Sequence, residues 1–258
     1  MRALATLHRW WGVAFCLLFI MWFASGIVMH FVPLPARSER SVPREIAASR
    51  ASTERIDYDQ WTVAGDFDRD RPLTRIALDD DAGTEIYVSA KSGKVVLTTT
   101  RNVRLLNYLG SIAHWIYPTT LRHHRAVWVA LIWCLSLLAT IGAALGVLIG
   151  FVRLRVGTPY RGLQSWHHFF GLIFAPFLLA WIFSGFLSMD DGWLLPRSDG
   201  LFRALHTLDF PPLASHPWLR TSVIVGLCLC GCAFSLTGTV LAWQLLRNGA
   251  RVSIDDVT

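Results

Sequence analysis

The sequence predicts an all-α membrane protein with four transmembrane helices in two parallel repeats and one small α+β insertion outside the bilayer. Three observations predict it. Four long stretches, residues 10–31, 126–152, 169–189 and 221–246, carry almost no charge. One polar segment, residues 33–110, interrupts them. Two blocks of the chain align with two later blocks without a gap. The composition agrees: 53% of residues are hydrophobic and 16% charged, against about 25% charged in an ordinary soluble domain. Mean hydropathy is +0.42. A disordered chain and a wholly soluble one are both excluded.

Residues 1–32 hold the first span. A helix rises about 1.5 Å per residue, so about 20 apolar residues cross a hydrocarbon layer of about 30 Å. The stretch lacks a convincing small-x-small cleavage site and is read as a retained helix rather than a signal peptide. Residues 33–110 form the insertion, which carries 12 basic and 12 acidic residues. Its Pro-, Arg- and Ser-rich start, 33–56, reads as a linker. Asp57 to Asp66 suggests a short helix, and Pro72 to Leu78 has β character. Glu85-Ile-Tyr-Val-Ser-Ala and Lys94-Val-Val-Leu-Thr-Thr around Gly93 read as a hairpin. Alone it has a thin core, so it is expected to lean on the membrane domain. Asp66, Asp68, Asp70 and Asp79 to Asp81 read as a solvated turn surface.

Residues 111–152 supply the second span and its lead-in, and 153–258 the second repeat with spans three and four. Arg2 and Arg9 precede the first span, Arg153, Arg155 and Arg161 fill the loop after the second, and Arg247 and Arg251 follow the fourth. The positive-inside rule puts both termini and that loop in the cytoplasm. The insertion and the loop at 190–218, with Asp190, Asp191, Asp199 and Asp209, then face outside. Arginines placed at span ends are explained by topology, so the net charge of +6 is not read as a nucleic-acid surface. The five cysteines all fall inside spans. Cys228 and Cys232 share a helix face and read as small packing residues.

The internal repeat carries the chemistry. Residues 8–29 lie over 167–188, matching His8 with His167, Gly12 with Gly171, Phe15 with Phe174, Trp22 with Trp181, Ser25 with Ser184 and Gly26 with Gly185. Residues 114–155 lie over 206–247, matching His114 with His206, Leu121 with Leu213, His124 with His216, Gly146 with Gly238 and Arg155 with Arg247. Spans one and three enter from the same side, so the repeats are parallel and related by an axis along the membrane normal. On a wheel of about 100° per residue, Gly12, Phe15, Trp22, Gly26 and His30 share the stripe of His8, and Ser25 does not.

Ionisable residues in or beside a span are costly and mark candidate sites. Of nine histidines, His8, His167 and His168 fall at the inner boundary and the other six at or beyond the outer one. Matched imidazoles across an apolar axis suit bis-histidine haem ligation. Zinc commonly wants four ligands, and no cluster of thiolates or carboxylates accompanies the inner pair. His8 and His167 are therefore expected to ligate one haem b. The inner and outer histidines of span one are separated by about 33 Å. A second haem is expected on the outer side, held by two of His30, His114 and His206, with His124 in reserve. His123 and His168 lack histidine partners in the repeat and are read as boundary residues. Nucleotide loops, a Ser-His-Asp order and HExxH are absent from the sequence.

Leu7-His-Arg-Trp-Trp-Gly12, Ser25-Gly26, Ala204-Leu-His206 and Thr237-Gly238 with Trp243, together with the hairpin Ile86 to Val96, resemble the PepSY-associated transmembrane family. The resemblance covers all four spans and part of the insertion. It implies a multi-pass protein of the bacterial inner membrane with a PepSY-like periplasmic insertion. It also implies a haem oxidoreductase that takes electrons from quinol or a cytoplasmic reductase and reduces ferric iron or ferric siderophores outside. The competing expectation is a non-enzymatic membrane protein whose PepSY-like module binds or restrains a partner protein.

Overall fold

A computed structural model describes residues 2–41, 52–157, 160–189 and 199–255. Asp190, Asp191 and residues 42–51 of the expected linker fall outside them. The chain divides into two compact units: one of residues 1–27 and 130–258, the other of residues 28–129.

The first unit is helical. Its long helices are α1 (Arg2–Phe31, as far as Ile27), α4 (Arg125–Arg155, from Ala130), α5 (Leu163–Ser188) and α8 (Pro217–Asp255). Four segments of these helices are long and apolar enough to cross a bilayer: Ala3–Phe31, Arg125–Arg155, Leu163–Ser188 and Pro217–Arg247. Each outruns the charge-free stretch that announced it, because the flanking turns add a few polar residues without breaking the helix. Short helices α6 (Asp199–Thr207) and α7 (Pro211–Ala214) lead into α8.

All four long helices contribute to one core: Phe15 and Phe23 from α1, Ala139 and Ala143 from α4, Phe174, Leu178 and Ile182 from α5, Ile224 and Cys228 from α8. Cys232 packs against it, so the cysteine pair acts as packing. Large apolar side chains such as Leu17, Ile173 and Leu229 stay exposed on the outer faces, as expected where lipid replaces water. Polar side chains in the helices satisfy themselves locally. Ser25 Oγ donates to the Met21 carbonyl at 2.6 Å and Thr140 Oγ1 to the Ser136 carbonyl at 2.8 Å, the pattern that removes hydroxyls from an apolar medium.

The second unit holds an antiparallel meander of four strands, β1 (Ser52–Ile56), β2 (Leu73–Ala77), β3 (Glu85–Ser89) and β4 (Val95–Thr99), in sequential order. The predicted β2 and the β3–β4 hairpin are present. Gly93 turns the hairpin at φ +66°, a backbone that glycine adopts without strain. Two local expectations are corrected. Residues 52–56 form an edge strand rather than linker, paired to β2 from Ser52 with Ala77 to Ile56 with Leu73. The expected helix at 57–66 does not form. The Asp59 carboxylate instead accepts the Trp61 and Thr62 backbone N–H groups at 3.0 and 2.9 Å, a local turn that competes with helix, and a single 3₁₀ turn follows at Gly65–Asp70.

The sheet unit has its own core, contrary to the thin one expected. Leu73, Tyr87, Val96 and Leu97 are essentially inaccessible, and Trp61, Val63 and Phe67 cover them from the loop. Asp70 is not on a solvated turn: it is buried and pairs with Arg37 at 2.5 Å. After β4 the chain runs through α2 (Arg101–Asn107) into a π turn at Tyr108–Ile112, then α3 (Thr119–His123) and the first turn of α4. Gly110 has no room for a side chain, since a Cβ there would lie 3.1 Å from Val28 Cγ1.

Candidate functional site

The helical unit contains a partly open cavity of about 550 Å³, within the 300–1,000 Å³ usual for cofactor and small-molecule sites. His8 from α1 and His167 from α5 both line it, so the structure brings the expected inner pair to one site. Gly12 and Gly171, each one turn beyond a histidine, line it as well.

Glycines make the approach possible. A Cβ at Gly146 would lie 2.6 Å from His8 Cε1, and one at Gly238 would lie 3.3 Å from His167 Cε1 and 2.7 Å from Cys16 Sγ. A Cβ at Gly142 would lie 2.1 Å from Trp11 Cδ1. The wall of α4 is therefore a row of Gly142, Gly146 and Gly150, all lining the cavity. Spacing by four puts them on one helix face. Sequence reading matched Gly146 but missed the row, although small-xxx-small spacing is a recognised signal of close approach between membrane helices.

The hydrogen bonds decide which ring nitrogen carries the proton. His8 Nδ1 lies 3.3 Å from the Gly142 carbonyl oxygen. A carbonyl only accepts, so Nδ1 is the N–H and Nε2 holds the lone pair. His167 Nδ1 lies 2.8 Å from Thr237 Oγ1, while that hydroxyl donates to the Phe234 carbonyl at 2.6 Å. Its one hydrogen is thereby used, so His167 Nδ1 donates and Nε2 again holds the lone pair. The His167 ring stacks on Phe234, with centroids 4.6 Å apart.

His168 corrects the reading of it as a boundary residue. It is buried, it lines the same cavity, and its Nε2–H donates to the Gly150 carbonyl at 2.9 Å. Its Nδ1 is buried without a hydrogen-bond partner among the described residues. Phe234 lines the site without any signal in the sequence reading, which cited Arg153 only for topology and Thr237, the partner of His167, only for the resemblance. The adjacent His-His pair was the available signal for His168.

The outer candidates are distributed differently. His206 belongs to the helical unit. Its Nδ1 lies 3.1 Å from both the Trp181 carbonyl oxygen and Ser184 Oγ, and a Cβ at Gly185 would lie 3.3 Å from its Cε1. Burial pushes its imidazole below the ordinary value, which keeps it neutral. His30, His114 and His124 belong to the second unit. His30 and His114 are half-buried and His124 is exposed. The His30 ring packs edge-on against Phe31, and that of His124 against His123, at 5.2 and 5.4 Å between centroids.

Among the described residues, no group of three or more His, Cys, Asp or Glu side chains is placed to hold a metal ion. Two imidazoles whose Nε2 atoms carry lone pairs could each supply one ligand to an iron or other metal centre. An outward N–H fixed by a carbonyl or hydroxyl is also the usual second partner of a metal-ligating histidine. No family model, curated protein or solved structure matches the chain. What fold and site define is a helical unit with membrane-length helices and a cavity lined by three imidazoles, joined to a four-stranded sheet unit.

Proposed function

We propose that this chain is a haem-carrying electron-transfer protein of the bacterial inner membrane, of the PepSY-associated kind, which reduces ferric iron or a ferric siderophore on the periplasmic side. The observation that carries the reading is the pair His8 and His167, which line one cavity and share one tautomer. A haem b bound there supplies one-electron chemistry, and these two residues would hold its iron through Nε2. Gly142 and Thr237 fix the two rings by accepting from Nδ1. Gly146 and Gly238 let the rings approach their neighbouring helices. Trp11, Phe15 and Phe234 surround the site with apolar surface that excludes water.

The two-repeat reading is supported by contacts that recur at matched positions. His8 meets Gly146 as His167 meets Gly238. His124 and His216 each accept from the N–H four residues on, at 3.0 Å in both cases, where α4 and α8 begin. On this reading both termini are cytoplasmic, the insertion is periplasmic, and a second haem is held by two of His30, His114 and His206, with His124 in reserve. The electron donor is quinol or a cytoplasmic reductase.

The test is the visible spectrum and haem content of the purified protein. We expect a bis-histidine spectrum, and His8→Ala or His167→Ala each removing one haem per chain. Full haem content in both variants would overturn the assignment. A colourless wild-type preparation would favour the non-enzymatic reading, in which the PepSY-like module binds a partner.

A further inference from the structure

The row of glycines on α4 ends in a charge. Arg153 follows Gly150 by three residues and lines the same cavity, on the same stripe of the helix. Its Nε is fully buried and has no hydrogen-bond partner among the described residues. Arg9, whose Nη2 reaches Thr6 Oγ1 at 3.3 Å, also lines the cavity. Among the described residues, no Asp or Glu lines it. A buried guanidinium donor left without an acceptor is costly. Two arginines without an acid, in a cavity whose other polar lining is neutral imidazole, amide and hydroxyl groups, describe a place for an anion carried by the ligand itself.

We propose that Arg153 is the carboxylate anchor of this cavity, pairing with an acidic side group of the bound porphyrin, with Arg9 as a second, more exposed cation. The inference rests on the reading of His8 and His167 as the axial pair, and adds what fixes the ligand's orientation. Along the glycine row of α4 the covering side chains are Trp11, His8 and Leu172, none of which carries a permanent positive charge to hold a carboxylate. A planar guanidinium at the end of that row supplies a directional, charge-assisted contact to a carboxylate. An iron porphyrin with free carboxylates is thereby preferred over the same ring with its carboxylates esterified.

The experiment titrates full-length protein stripped of haem with iron protoporphyrin IX and, separately, with its dimethyl ester, following the Soret band. Wild type should bind the diacid roughly tenfold more tightly than the diester, the worth of one charge-assisted hydrogen bond. Arg153→Gln should lose that preference through weaker diacid binding, with diester affinity unchanged, and Arg153→Lys should keep part of it. Equal wild-type affinity for the two porphyrins would overturn the anchor, as would an undiminished preference in Arg153→Gln. The first comparison needs no variant. If Arg153 instead serves a lipid phosphate, wild type shows no preference between the porphyrins. Absence of a bis-imidazole spectrum with either porphyrin defeats the axial assignment itself, a different result from equal binding of both.

Discussion

In the sheet unit the inaccessible side chains are large: Leu73, Tyr87, Val96 and Leu97. In the helical unit the apolar residue with no exposure at all is Ala139, and the closest helix approaches are made at glycines. The surfaces reverse in the same sense. Arg37, Glu39, Lys94, Arg75 and Glu54 form ion pairs on the sheet unit, whereas the long helices expose Leu17, Phe151, Ile173 and Leu229. A unit folding in water gains about 25 cal/mol for each Å² of apolar surface it hides, so it hides its largest side chains. Helices in lipid gain nothing from hiding apolar surface, and cohere through close packing and local polar bonds. A cavity lined in part by glycine can persist in such a unit.

The largest effect is expected where that close packing meets the site. Gly146→Leu would drive a branched side chain into the His8 ring, since even a Cβ there lies 2.6 Å from Cε1. If the cavity holds the proposed haem, that haem should be lost altogether, while helix content by circular dichroism stays near wild type. Retention of full Soret absorbance would show that the glycine row is not the wall of the site.

Next comes the sheet core. Leu73→Ala removes a fully buried side chain, and such truncations cost about 2–5 kcal/mol. The sheet should unfold earlier in urea, followed by the fluorescence of Trp61, with the inner haem spectrum unchanged. Loss of both together would mean that the two units do not carry their stability separately.

The same contrast explains which parts were legible in the sequence. Spans were legible because lipid contact demands long apolar runs. The β3–β4 hairpin was legible because its alternation and Gly93 are local. Strand β1 was not, because Ser52-Thr-Glu-Arg-Ile56 has one buried residue at an edge, and its partner β2 lies beyond an irregular loop. His8 and His167 could be found by self-alignment, which needs no knowledge of packing. Arg153 could not, because a cavity built by several helices surrounds it, and His168 offered only its adjacency to His167, since the carbonyl it meets comes from another helix and no spacing rule encodes that. The Gly142, Gly146 and Gly150 row was readable and went unread.

The smallest effect is electrostatic and belongs to the sheet unit alone. Arg37 first, and Lys94 second, hydrogen-bond the Glu39 carboxylate and hold it down to about 2, below its ordinary 4.5. The contacts are 2.6 and 3.0 Å, but Glu39 remains 45% exposed, so solvent and salt screen them. A depressed carboxylate stabilises the fold above its unfolded value, and that contribution disappears as pH falls toward the folded one. Glu39→Gln should therefore lower the sheet's melting temperature slightly near neutral pH. The gap between variant and wild type should close between about pH 4.5 and pH 2, and narrow in high salt. Among the described residues no Asp or Glu lines the cavity of the helical unit, so the spectrum of a haem bound there should be indifferent to the substitution. A gap that widened on acidification would mean that Glu39 is stabilised in its protonated form, opposite to what its two cationic neighbours impose.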